Sequence, residues 1–88
     1  MNFNQSLNQL HSFSRDWNAT KPSNRSAVFF YGYGLLEQFT ITSDGKSKRC
    51  NNRFVTLLVS ILEDKDITLE QFNTEVNDLI IADNYSIN

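Results

Sequence analysis

Proline occurs once in this chain, at Pro22, glycine three times, and cysteine, histidine and methionine once each. A single cysteine, Cys50, closes no internal disulfide, which excludes a disulfide-stapled secreted scaffold. One histidine, His11, and the lack of a Gly-x-Ser-x-Gly elbow leave a poor inventory for nucleophilic or acid–base catalysis. No apolar run approaches the roughly 18 residues that span a bilayer. The first 17 residues carry no basic segment followed by an apolar one, so no signal peptide is expected. These absences point to a small soluble, cytoplasmic, non-enzymatic protein without cofactor or metal and without a membrane partner.

What the chain does have is aromatic residues: seven Phe, three Tyr and one Trp among 88 residues, with 40% hydrophobic and 20% charged. That composition is unlike a disordered chain, and the length predicts one domain over 1–88. Phe3, Leu7, Leu10, Phe13 and Trp17 recur at spacings of three and four, which predicts a helix over 3–17 with Asn2 or Asn4 as its cap. The polar stretch 18–26, which holds Pro22, reads as a loop.

From Ala27 to Thr42 the pattern turns to period two. Phe29, Tyr31, Tyr33, Leu35, Phe39 and Ile41 alternate with other residues, and Gly32 and Gly34 argue against a regular helix, so extended structure is expected. Asp44-Gly45 is a hairpin signal, with a return strand over 46–50. Asn51 or Asn52 caps a helix over 54–63 that is apolar on nearly every side, and Thr68 with Gln71 forms a capping box for a last helix. That helix places Leu69, Phe72, Val76, Leu79 and Ile80 on one face. The tail 83–88 is expected to be loosely ordered. The fold class that follows is α+β: an N-terminal helix, a short antiparallel sheet with the Asp-Gly hairpin, and two C-terminal helices. The alternative is all-α, with 27–42 helical.

Individual chemical groups read blandly. His11 lies beside the apolar face of the first helix, as a packed or rim histidine. Cys50 follows Lys48 and Arg49, whose charge would lower a thiol pKa, but a strand-end thiol packs as a small hydrophobe. Asp64 and Asp66 lack the glycine and ligand series of a calcium loop.

Charge is polarised: residues 44–53 carry +3 and residues 54–88 carry −6 within a total of −2. The basic hairpin, with Lys46, Lys48, Arg49 and Arg53, is the argument for a nucleic-acid-binding module. Overall acidity runs against it. The stronger argument is surplus apolar surface, since the aromatic run at 29–33 and the nearly all-apolar third helix exceed what so few elements cover. The expected function is therefore that of a protein-binding factor, such as an adaptor, inhibitor, immunity or regulatory protein. Its expected partner is another protein or a second copy of itself. Phe30, Tyr31 and Tyr33 are the candidate contacts, with Glu70 and Asp78 as rim charges.

Overall fold

The computed structural model describes residues 1–20, 25–43, 46–64, 66–82 and 86–87, with backbone alone for 42, 43, 46–49, 86 and 87. Asn2 opens the first helix, α1 (Phe3–Thr20), through a reciprocal cap. The Gln5 amide donates to Asn2 Oδ1 at 2.8 Å, and the Asn2 amide donates to Gln5 Oε1 at 2.8 Å. Two of the orphan donors at a helix start are thereby satisfied. α1 is longer than its apolar spacing predicts and runs on through Thr20, and α2 (Arg25–Leu36) begins at Arg25. Residues 18–20 and 25–26 of the predicted loop are helical instead, and 21–24, with Pro22, lie outside the described residues.

α2 corrects the extended structure expected from Ala27 onward. A run that is apolar on both faces carries both periodicities, so alternation alone does not choose between them. Val28, Gly32 and Leu36, four residues apart, are the buried stripe of a helix, and packing overrides the strand propensity of the aromatics. The glycine read as a helix breaker lies at a helix crossing. A Cβ at Gly32 would sit 3.0 and 3.1 Å from the two Leu10 methyls and 3.5 Å from a Val55 methyl. Gly32 thus lets α2 close onto α1 and the third helix together, whereas a Cβ at Gly34 meets nothing within 4 Å.

The third helix, α3 (Asn52–Ile61), is capped by Asn51, whose Oδ1 accepts from the Phe54 amide at 2.9 Å. Phe54, Val55, Leu58 and Val59 on α3 are buried, and so is Leu62 just after it. Its apolar surface is therefore largely covered, by α2 on one side and by α4 (Leu69–Ala82) on another. Thr68 and Gln71 form the capping box of α4, at 3.0 and 3.1 Å. Phe72 and Val76 bring α4 into the core.

The chain is mainly helical, and the four helices described carry the core, which is compatible with the all-α alternative. A sheet layer built from 27–42 does not form. The strand pairing is short: Thr40–Ser43 (β1) lies antiparallel to Lys46–Arg49 (β2), with Ser43 opposite Lys46. Ser86–Ile87 (β3) adds to the other edge of β1. Asp44-Gly45 lies outside the described residues, as does part of the tail expected to be loose. Ile41 and Cys50 turn into the core at this end, and Phe3 packs edge-on against Phe39 at 5.4 Å.

His11 ties the two ends of the chain. Its Nε2–H donates to the Ile67 carbonyl at 2.8 Å, and its ring stacks near Phe72 at 5.9 Å. His11→Ala leaves that buried carbonyl unpaired and a hole beside Phe72, and should cost about 2–4 kcal/mol in urea unfolding. The two glycines of α2 should respond in opposite directions in the same assay. Gly34→Ala, with free space and a better helix former, should add about 0.5–1 kcal/mol. Gly32→Leu should remove about 1–3 kcal/mol by overpacking Leu10 and Val55.

Candidate protein-binding surface

Between Ser26 and Leu36 the sequence of α2 holds no charged residue. With Val28, Gly32 and Leu36 turned inward, the helical repeat places Ser26, Phe30 and Gly34 outward along one line. Phe30 is 70% exposed, Gly34 is open, and Tyr31 is 37% exposed. A large ring left this free is the feature to explain, since monomers seldom leave contiguous apolar surface uncovered.

Two groups of rings flank Phe30. On one side Tyr31 stacks on Phe13 of α1, with centroids 4.0 Å apart and planes within 10°. Phe13 in turn lies 5.8 Å from Trp17. On the other side Phe29 meets Phe30 edge-on at 5.5 Å and lies nearly parallel to the half-buried Tyr33 at 6.1 Å. The aromatic surface therefore joins α1 and α2. The candidates Phe30, Tyr31 and Tyr33 all lie on α2, with Phe29 of the same aromatic run between Phe30 and Tyr33, and α1 adds Phe13 and Trp17 through Tyr31. By spacing, Phe13 and Trp17 share one face of α1 with Leu7 and Leu10. Phe13 packs partly against the core while its ring also meets Tyr31, a double role that a helix face read from spacing alone does not reveal.

The expected rim charges lie elsewhere. Glu70 and Asp78 are exposed on α4, which packs mainly on α1 and α3. Glu70 lines a groove of about 380 Å³ with Asp64, Ile67, Gln71, Thr74 and Glu75, which holds no aromatic ring. The acids near the aromatic surface are Asp16 on α1 and Glu37 just past the end of α2. Asp16 lines a shallow groove of about 340 Å³ between α1 and α2, together with Asn8, Gln9, Ser12, Phe13 and Tyr31. Arg25 at the start of α2 is turned to α3. It pairs with Glu63 at 2.8 Å and donates to Ser60 Oγ at 3.0 Å. Both members of the pair are about half exposed, so the pair orients more than it stabilises.

Of the basic candidates, Lys46, Lys48 and Arg49 lie on β2, with side chains outside the described part, and Arg53 is exposed in the first turn of α3. Among the described residues, no three His, Cys, Asp or Glu side chains converge as metal ligands, and no helix is long and apolar enough to cross a membrane. Comparison with protein-family models, curated proteins and solved structures finds no match to this chain.

Cys50 is 2% exposed, and burial pushes its thiol up to about 12, since the thiolate loses its hydration. The structure gives no support to a reactive thiol lowered by Lys48 and Arg49. A disulfide reagent at pH 8 should leave the folded protein unlabelled and label it fully in urea. Because the folded thiol holds its proton to higher pH than the unfolded one, its contribution is intact below about pH 9 and lost above it. Stability should fall there by up to about 1.4 kcal/mol per pH unit, a loss that Cys50→Ser should remove from denaturation curves recorded between pH 8 and 11.

Proposed function

We propose that this chain is a non-enzymatic protein-binding factor that engages another protein through the aromatic face of α2. One observation carries the reading: Phe30 stands 70% exposed on an uncharged helix face, between the Tyr31–Phe13 stack and the Phe29–Tyr33 pair. Aromatic side chains bury a large area with few torsions to freeze, which suits them to the centre of an interface. The rings around Phe30 are already held by one another, so binding them costs little further ordering. Adaptor, inhibitor, immunity and regulatory roles all use such a face.

The test is capture of a partner from the native source by the wild-type protein and by Phe30→Ala and Tyr31→Ala. Loss of a central anchor should weaken capture by at least about tenfold. The stability of Phe30→Ala should remain within about 0.5 kcal/mol of wild type, because the removed ring is largely in solvent. Undiminished capture by both variants would overturn the reading. Light scattering on the eluted protein separates the possible occupants: a dimer dissolved by Phe30→Ala identifies a second copy, and a monomer leaves a different protein.

A further inference from the structure

The groove between α1 and α2 has a chemistry of its own, and we propose that it is a subsite for an arginine side chain of the protein partner. This rests on the reading of α2 as a binding face and names what one part of that face receives. The groove is lined by the Asp16 carboxylate, the amides of Asn8 and Gln9, the Ser12 hydroxyl, and the Phe13 and Tyr31 rings.

Every polar lining group offers an oxygen acceptor, and the only charge is negative. A guanidinium is the complementary group: five N–H donors, no acceptor, and a flat face. Its plane stacks on an aromatic ring while its edge meets a carboxylate, and here Tyr31 and Asp16 line one depression. The Tyr31 ring is held in place by its stack on Phe13, at 4.0 Å and 10°.

Among the described residues, neither Arg25 nor Arg15 fills the role. The ion pair formed among the described residues joins Arg25 to Glu63, away from the groove. Arg15, although adjacent to Asp16 in sequence, lines a small pocket with His11, Ser14 and Leu62 on the other side of α1. Asp16 therefore has no ion-pair partner among the described residues, and Glu37, just past the end of α2, carries the same sign. A basic partner matches this surface. An anion or a nucleic-acid backbone does not.

The experiment is a titration of the full chain, followed by amide ¹H–¹⁵N spectra at low salt, with N-acetyl-arginine methylamide and its lysine analogue as probes. The arginine probe should produce saturable shifts centred on Asn8, Gln9, Ser12, Asp16 and Tyr31, with a Kd in the millimolar range expected for so small a ligand. The lysine probe, a hydrated point charge without a stacking plane, should bind at least about threefold more weakly. Asp16→Asn and Tyr31→Ala should each weaken the arginine probe at least about fivefold, while Asp78→Asn should have no effect.

Equal affinity for the two probes, shifts spread equally over the acidic groove at Glu70 and Glu75, or no saturable shift would each overturn the proposal. The two readings fail separately. An unshifted groove together with capture abolished by Phe30→Ala overturns the arginine subsite and leaves the aromatic face standing. Probe binding that depends on Asp16, together with capture indifferent to Phe30→Ala, supports the arginine site and overturns the wider reading of α2.

Discussion

The arrangement depends on one missing side chain. At Gly32 the backbone of α2 comes close enough to Leu10 and Val55 that an added methyl would touch both. Interior packing is dense enough that a contact of this kind fixes how two helices sit. The buried stripe of α2 is consequently narrow: Val28, Gly32 and Leu36. It offers no room for the rings at 29, 30, 31 and 33, which must go to the flanks or outward. The exposed aromatic face is thus the other side of a close helix crossing, and the two features come from the same stretch of sequence.

Most helix starts were legible because capping is local. Asn2 with Gln5, Asn51 with Phe54, and Thr68 with Gln71 each bond within three residues, so neighbouring letters suffice to find them. The stretch 27–42 was not legible in the same way. Its residues are apolar at both helical and strand spacings, and the decision falls to contacts with Leu10 and Val55, which are remote in sequence. The site divides on the same line. Phe30, Tyr31 and Tyr33 stand out within one segment. The stack of Tyr31 on Phe13 joins two helices, and only the fold reveals it. Glu70 and Asp78 stand out in the sequence by charge alone, and charge does not tell how α4 lies relative to Phe30 on α2.

The electrostatic polarity read from the sequence also takes on a spatial meaning. The acidic residues of α4 face solvent away from α2, while the uncharged length of α2 leaves the aromatic face to be governed by Asp16 and Glu37 at its margins. Net charge would suggest one diffuse acidic surface. The fold instead separates an acidic helix with no ring in its groove from an aromatic face with sparse acid beside it, and these are surfaces for different kinds of contact.

The bond from His11 to the Ile67 carbonyl spans 56 residues, far more chain than any cap encloses. Closing so long a loop costs more chain entropy than closing a cap. The contacts of α1 with α2 and the capped start of α4 enclose shorter stretches. Opening the His11 bond parts α1 from the turn before α4 and leaves a buried carbonyl unpaired, so the two segments are held as one unit.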